Sequence, residues 1–204
     1  EGTQERLRMA GVNFNRIGRI FISHMHGDHY LGLMGLLSSM HLQGRSRELH
    51  VHGPADLKEV VHLQLRVSQT YLRYPMHIHA VASVSGEVIM EDDRVTVTAL
   101  ALKHRLPCTG LVVKERAGLR SLRKEMLPVI PAYRRAGVKQ GEDLVAEDGT
   151  VIPNAELTLD PPARRSYAFC SDTAYAPELV PFLTGVDLLY HEATFTEALL
   201  ARAK

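Results

Sequence analysis

Three histidines and an aspartate lie within six residues near the start of this chain. They are His24, His26, Asp28 and His29, and they directly follow the apolar run Ile20–Ile22. Imidazole nitrogens and carboxylate oxygens together are ligands of zinc, and also of manganese or iron. Grouping them this closely would cost desolvation and mutual repulsion without an ion. The cluster therefore predicts a metal site, and the divergence of alternate side chains in an extended segment favours two adjacent ions.

The other histidines give a weaker signal, although the chain holds 11 in total. Six of them lack ligand-rich neighbours, and for these we expect ordinary core or surface positions. They are His41, His50, His52, His62, His77 and His79.

Several candidate site residues lie one or two positions beyond the ends of predicted strands. The strands are Arg19–Ser23, Arg94–Leu102, Tyr167–Cys170 and Asp187–Tyr190. The residues that come after them are, in the same order, His24, His104, Asp172 and His191. Since ligand sites form where the ends of neighbouring strands meet, this repeated arrangement predicts an active site at a sheet edge.

Hydrophobic periodicity predicts further elements of an α/β protein. Helices are expected over Leu31–Met40 and Asp56–Gln69. Further strands are expected over Glu48–His52, His77–Val84 and Gly110–Lys114.

Composition limits the class of protein. The 204 residues are 45% hydrophobic and 23% charged, which is ordinary for one globular domain. No apolar run reaches the roughly 18 residues of a membrane span. The formal net charge of +1 excludes a generic polyanion binder, so nucleic-acid affinity must come from local patches. Two distant cysteines, Cys108 and Cys170, form no CxxC motif and favour a reducing cytoplasm.

The stretch from about 114 to 165 breaks the strand pattern with several prolines and a basic segment. Within Lys114–Gly141, eight basic residues stand against two acidic ones, which gives a local net charge of +6. A solvated helical hairpin would carry the same charges. The functional interpretation is an inserted arm that contacts phosphates through Arg116, Arg120, Arg123, Lys124, Arg134, Arg135 and Lys139.

Five separated motifs carry a family resemblance. His24–His29 alone resembles the signature of the metallo-β-lactamase superfamily. The longer motifs resemble the ribonuclease Z (tRNA 3′-endonuclease) family, and Glu1–Gln4 resembles the end of a family segment near the N-terminus. They are Ser23–Leu33, His104–Gly110, Phe169–Thr173 and His191–Phe195. The motifs occur in family order over nearly the whole chain, and their combination is specific.

The resemblance implies a four-layer αββα metallo-β-lactamase fold in one domain over 1–204, incomplete at both termini, with an arm at about 114–165. It also implies two zinc ions, with manganese as an alternative. One ion would be bound by His24, His26, His104 and Asp172. The second would be bound by Asp28, His29, the bridging Asp172 and one further histidine.

The resemblance further implies a hydrolase that removes 3′ trailers from precursor tRNA, leaving a tRNA 3′-hydroxyl and a trailer 5′-phosphate. Asp28 would orient or deprotonate the attacking water, and Glu192 would act in a relay with a later histidine. A cytoplasmic homodimer without membrane attachment is expected. Because the family's later histidine motifs are absent, we expect weak binding of the second metal and poor turnover.

Two other functions remain open at this point. A metallo-hydrolase of the same fold could act on a small phosphodiester or another ester, and it would not need the basic arm. A non-catalytic RNA-binding module could use the same scaffold, although the intact cluster at His24–His29 argues against a degenerate site.

Overall fold

The computed structural model of this chain describes residues 2–146 and 148–199. The chain divides into two compact units. The first unit comprises Glu1–Met90, Val97–Val113 and Tyr167–Lys204, and the second comprises Glu91–Thr96 and Lys114–Ser166. The predicted arrangement of one domain with an inserted arm remains a prediction.

The secondary structure mixes helices and strands throughout. The helices are α1 (Thr3–Met9), α2 (Gly27–Tyr30), α3 (Gly32–Leu42), α4 (Leu57–Val67), α5 (Arg135–Gln140), α6 (Asn154–Leu157) and α7 (Val180–Leu183). The strands are β1 (Arg19–Phe21), β2 (Leu49–Gly53), β3 (Met76–Ala80), β4 (Val88–Glu91), β5 (Val95–Leu102), β6 (Cys108–Glu115), β7 (Ser121–Leu122), β8 (Leu144–Val145), β9 (Val151–Ile152), β10 (Thr158–Leu159), β11 (Ser166–Cys170) and β12 (Leu188–His191). Short 3-10 helices lie at Phe14–Arg16, Lys124–Met126, Ala132–Arg134, Pro177–Leu179 and Glu197–Leu199.

The first sheet is parallel and has the order β1-β2-β3. Ile20, Val51 and Ile78 lie side by side in its register. Since side chains alternate along a strand, these residues share one face, which packs on helices α3 and α4. The largest fully buried side chains of this core are Leu37, Met40, Leu49, Leu57, Val51 and Val61.

The second sheet has the order β12-β11-β6-β5-β4, and β11 runs parallel to β12. Leu100, Cys108 and Ala168 are buried in its core, against which Leu179 and Phe182 pack from the segment around α7. The two sheets contact each other through a hydrogen bond from the Thr109 N–H to the Ser23 carbonyl and through side chains around a small cavity. The layer order is helix, sheet, sheet, helix, so the predicted αββα fold class is confirmed.

Gly110 shows why the motif around β6 needs a glycine. A Cβ atom at this position would lie 2.8 Å from the Phe169 carbonyl oxygen and 3.0 Å from a Leu102 methyl group. Backbone cannot move out of the way as a flexible side chain can, so only glycine allows β6 to approach β11 this closely.

The second unit has its own small core of Ile130, Val138, Leu144 and Leu157. Asn154 crosslinks it by donating from its side-chain amide to the carbonyls of Val138 and Glu142, both at 2.7 Å. Four two-residue strands, β7 to β10, lie in this stretch, where few strand signals were expected. None of the helices in the described ranges is long and apolar enough to cross a membrane.

The sequence-predicted elements of the first unit are confirmed within a few residues at each end. The structure starts α3 at Gly32 and ends it at Leu42, and α4 is shorter than expected at both ends. Strand β4 and the one-turn helix α2 were not predicted, because four residues are too few to show a period.

His52 is an uncommon polar residue between the sheets. It is 4% exposed, stacks on Phe21 at 4.7 Å, and has no hydrogen-bond partner for either ring nitrogen in the described part of the chain. Burial first, and then His79, Arg19 and His50, lower the pKa of its imidazole to about 4. The ring is therefore neutral at pH 7, and burial of its two nitrogens without a partner among the described residues carries a desolvation cost.

Replacing His52 with phenylalanine should stabilise the protein. Leaving a buried polar group unpaired costs about 1–3 kcal/mol, and the phenyl ring keeps the stack on Phe21. We expect the His52→Phe variant to gain about 1 kcal/mol in the free energy of unfolding, measured by urea denaturation at pH 7. The control His62→Phe, on exposed α4 surface, should gain nothing. A loss of stability in His52→Phe would contradict this account.

Candidate metal centre

The first ligands are positioned by an extended segment that follows β1. The Ile22 N–H donates to the His52 carbonyl and the Thr109 N–H donates to the Ser23 carbonyl, so both sheets fix this backbone. His26 is still extended, at φ −70° and ψ 143°, and Gly27 then begins the one-turn helix α2. Because residues two apart in an extended chain share a side, His24 and His26 face the same space.

Four ligating groups converge at the ends of three different strands. One ligand atom each from His24, His26, His104 and Asp172 lies within 4.8 Å of the other three. The Nε2 atom of fully buried His24 lies 3.0 Å from His26 Nδ1 and 3.7 Å from Asp172 Oδ2. The strands β1, β5 and β11 therefore bring together residues that are separated by up to 148 positions in sequence.

A second group of ligating atoms adjoins the first. His29 Nε2 lies 3.3 Å from Asp28 Oδ2 and 3.4 Å from Asp172 Oδ2. The carboxylate of Asp172 is thus close to both groups, where a bridging ligand of two ions would lie. This arrangement fits the ligand division implied by the family resemblance, and the division itself remains a proposal.

The ends of β5 and β11 are tied to each other beside the ligands. The Lys103 N–H donates to Thr173 Oγ1 at 3.0 Å, and the Ala174 N–H donates to the Lys103 carbonyl at 2.7 Å. These bonds fix the relative placement of His104 and Asp172, each of which is adjacent to a bonded residue.

Two serines that the sequence analysis did not single out contact the imidazoles. Ser23 Oγ lies 3.1 Å from His24 Nδ1, and Ser171 Oγ lies 3.5 Å from His29 Nδ1. The two hydroxyls are 3.2 Å apart. When each Nδ1–H donates to its serine, each Nε2 keeps a free lone pair, which is how ligating histidines are usually oriented. The sequence signal was available, since both serines directly precede ligands.

His24 is held neutral, as a metal ligand must be. Burial, followed by the neighbouring His29 imidazole, lowers its pKa to about 4, against an opposing effect of Asp172. Cys108 Sγ is 3.4 Å from His24 Nδ1, but burial raises the pKa of this thiol to about 12. Cys108 therefore stays a protonated thiol and contributes packing to the site rather than a thiolate ligand.

Arg105 is a further residue of the site that sequence reasoning missed. Its guanidinium donates to His26 Nε2, with distances of 2.9 Å from Nη2 and 3.2 Å from Nε. This places the ring proton of His26 on Nδ1, where it can be donated to His24 Nε2. Because His26 can ligate through Nδ1 only as the opposite tautomer, ligation and the Arg105 contact are mutually exclusive.

Glu192 uses both carboxylate oxygens to hold the loop after β11. Oε1 accepts from the Thr173 N–H and Oε2 accepts from the Thr194 hydroxyl, both at 2.6 Å. His191 Nδ1 lies 2.8 Å from the Glu192 carbonyl oxygen. Glu192 is thus hydrogen-bonded to Thr173, the residue next to Asp172. A relay between Glu192 and a later histidine remains a prediction.

The donor set fits a divalent transition-metal ion. Three imidazoles and a carboxylate match the ligand chemistry of zinc, and the nearby Cys108 stays protonated, so it does not favour a softer ion. His29 Nε2, with carboxylate oxygens of Asp28 at 3.3 Å and of Asp172 at 3.4 Å, offers the ligand types for a second ion of the same kind.

The predicted phosphate-binding residues all lie in the second unit. Arg116 contacts Glu91, Arg120 contacts Asp160 at 2.5 Å, and Arg123 lies 4.0 Å from Glu125. Arg135 donates to the carbonyls of Ile130 and Leu127. Lys124 and Lys139 are exposed, and Arg134 is half-buried.

The chain is similar to proteins of known family. The family model described as a beta-lactamase superfamily domain matches residues 3–123. The ribonuclease Z of Bacteroides fragilis is 45% identical over 208 residues, which cover 100% of this chain and 68% of that protein. The ribonuclease Z of Parabacteroides distasonis is 41% identical over 206 residues, with the same coverage.

This chain belongs to the ribonuclease Z family. Solved structures agree on the fold. Human tRNase Z, short form, matches with a TM-score of 0.66 and 23% identity over 99% of this chain and 67% of that chain. A long form RNase Z from yeast matches with a TM-score of 0.57 and 15% identity over 97% of this chain and 26% of that chain. The family predicted from the sequence motifs is therefore confirmed.

Removing the Ser23 hydroxyl should weaken metal binding. Without it, His24 loses an acceptor that fixes the tautomer with a free Nε2. Loss of such a partner typically costs about 10–100-fold in metal affinity, and we expect this range for Ser23→Ala in a zinc titration against a competing chelator. The control Ser68→Ala removes a hydroxyl that donates to the Gln64 carbonyl at the end of α4, and it should bind zinc normally. Equal affinity in Ser23→Ala and wild type would rule out the orienting role.

Proposed function

We propose that this chain is a zinc-dependent endoribonuclease that removes 3′ trailers from precursor tRNA. The observation that carries the proposal is the convergence of His24, His26, His104 and Asp172 within 4.8 Å. It occurs in a chain whose relatives at 40–45% identity are named ribonuclease Z. The proposed cut leaves a 3′-hydroxyl on the tRNA and a 5′-phosphate on the trailer.

Divalent ions at such a site supply an acidified water and neutralise charge on the phosphoryl oxygens. The residues of the chain have separate tasks around them. His24, His26, His104 and Asp172 would hold one ion, and Asp28, His29 and Asp172 would contribute to the second.

Asp28 is the proposed base. Its carboxylate adjoins His29 at 3.3 Å and has a largely exposed side chain, so a water can approach it from solvent. A carboxylate in this position can orient the attacking water and accept its proton. The water oxygen bonds to phosphorus while the bond from phosphorus to the tRNA O3′ breaks, so the tRNA O3′ leaves and takes up a proton as the 3′-hydroxyl, and the phosphate stays on the trailer.

Arg105 is a candidate contact for the scissile phosphate. In the tautomer of His26 that ligates through Nδ1, Nε2 carries the proton and no longer accepts from Arg105. The guanidinium is then available to donate two parallel hydrogen bonds to a phosphate, the geometry for which arginine is suited. Occupation of the metal site would thus prepare the substrate site.

Glu192 is proposed as a positioning residue rather than a group that touches the substrate. It accepts from the Thr173 N–H and the Thr194 hydroxyl and thereby holds the backbone that carries Asp172. A relay to a later histidine remains part of the family-based prediction.

The second unit is proposed to contact the tRNA backbone. Exposed Lys124 and Lys139 are the groups that can reach phosphates most freely. Arg116, Arg120 and Arg135 contact partners within the unit, so they would also stabilise the shape that presents those lysines. We also propose that the working form is a homodimer, which sedimentation of the purified protein tests, and that it acts in the cytoplasm.

Replacing Asp28 should abolish cleavage. With a precursor tRNA carrying a 3′ trailer and added zinc, we expect one cut beside the acceptor stem, at the low turnover expected from the sequence. Asp28→Ala should lower kcat by about 100-fold or more, the typical loss of a general base. The control Asp56→Ala changes an exposed aspartate at the start of α4 and should cut normally. Turnover of a small phosphodiester without any tRNA cut would instead favour the small-ester hydrolase.

Neutralising the exposed lysines should raise KM more than it lowers kcat. Each phosphate contact contributes through release of counterions, so the Lys124→Ala/Lys139→Ala variant should show a several-fold higher KM and a weaker dependence of KM on salt. Lys58→Ala, on exposed α4 surface, is the matched control. An unchanged KM and salt dependence would remove these lysines from the proposed tRNA contact.

A further inference from the structure

Four histidines form a continuous face on the first sheet, which we call the histidine face: His50, His52, His77 and His79. The parallel register pairs His50 with His77 and His52 with His79. Their rings stack, with centroids 5.0 Å apart for His50 and His77 and 4.6 Å apart for His52 and His79. From the sequence, we expected ordinary core or surface positions for these residues, and the pairing of β2 with β3 brings the four of them together.

A carboxylate lies at one end of this face. Glu48 directly precedes β2, and its two oxygens lie 3.7 Å from His50 Nε2 and 3.8 Å from His77 Nε2. A direct charge-assisted hydrogen bond would be about 2.7–2.9 Å long. The three groups therefore converge without bonding one another directly.

The same spacing occurs in the candidate metal centre of this chain. There, imidazole and carboxylate atoms lie 3.7 Å apart between His24 and Asp172, and 3.4 Å apart between His29 and Asp172. Two imidazoles and one carboxylate form the ligand set of many transition-metal sites that keep open coordination positions. The Glu48 group has the same composition, and its two imidazole–carboxylate distances, 3.7 and 3.8 Å, are close to those of the candidate metal centre.

His50 is also oriented as a ligand. Its Nδ1 lies 2.9 Å from His79 Nε2, and the two rings are 17° from parallel. When Nδ1–H donates to His79, Nε2 is left with a free lone pair on the side of Glu48. Ligating histidines almost always donate their other ring N–H in this way. His79 is itself held by its stack on buried His52.

We propose that Glu48, His50 and His77 form a second metal site that binds a divalent transition-metal ion such as zinc, with His79 as the positioning residue. The side chains of Glu48, His50 and His77 are 65%, 23% and 50% exposed, so the site is open to solvent and exchanges its ion readily. It shares no ligand with the cluster of His24, His26, His104 and Asp172.

The test removes the first cluster and counts ions. In an Asp172→Ala/His26→Ala background, the protein is titrated with Co²⁺ and with Zn²⁺, and bound metal per chain is measured by equilibrium dialysis against buffer of known metal concentration. One ion should remain bound, with the visible absorption of imidazole-ligated Co²⁺. Adding His77→Ala or Glu48→Gln should remove that ion, whereas adding His62→Ala, on exposed α4 surface, should leave it.

His79→Phe tests the positioning role separately. Phenylalanine can keep the stack on His52 but cannot accept the His50 proton. We expect about 10–100-fold weaker Co²⁺ binding with an unchanged melting temperature in the absence of metal. No stoichiometric ion in the background protein, or an equal loss in His62→Ala, would overturn the proposal. Because metal binding alone is measured, this result is independent of tRNA cleavage.

Discussion

The candidate site depends on one electrostatic constraint, which is that four ligating side chains direct their atoms at one another within 4.8 Å. A shared proton can form a hydrogen bond within one pair of ligand atoms, such as those of His24 and His26 at 3.0 Å, but it cannot bond all four groups. A divalent cation can accept lone pairs from all four groups at once. Protonation of His24 cannot replace the cation at neutral pH, because the pKa of His24 is lowered to about 4. The surrounding hydrogen bonds of Ser23, and of Lys103 with Thr173, hold the groups in this arrangement.

The sequence predicted two parts of the site: the ligands that are close together in the chain, and the ligands that follow similar apolar strands. The density of histidines at His24–His29 identified the first ligands, and the apolar strands before His104 and Asp172 placed those residues at the same sheet edge. Contacts that depend on side-chain rotamers could not be predicted from the sequence pattern. Neither the Arg105 contact with His26 nor the clamp of Glu192 on Thr173 follows from spacing alone.

Long-range register explains the largest discrepancy. A strand was predicted for each of the two stretches, and in the structure His50 and His52 alternate along β2 while His77 and His79 alternate along β3. What single-strand patterns do not contain is which residue pairs with which across the sheet. Only the parallel register converts two ordinary alternating strands into one face of stacked imidazoles with Glu48 at its end.

The second unit shows a different limit. Its strands are two residues long, too short for any period, and its core consists of four buried apolar residues. Charge counting correctly found its basic character but could not distinguish guanidiniums that are fixed by internal partners, such as Arg120 with Asp160, from exposed lysines such as Lys139.

Anomalous X-ray scattering at the zinc absorption edge, from crystals grown with zinc, tests the central claim most directly. We predict an anomalous peak within bonding distance of His24, His26, His104 and Asp172. A zinc-containing crystal with no peak among these four side chains, or with Arg105 still bonded to His26 Nε2 beside a bound ion, would contradict it.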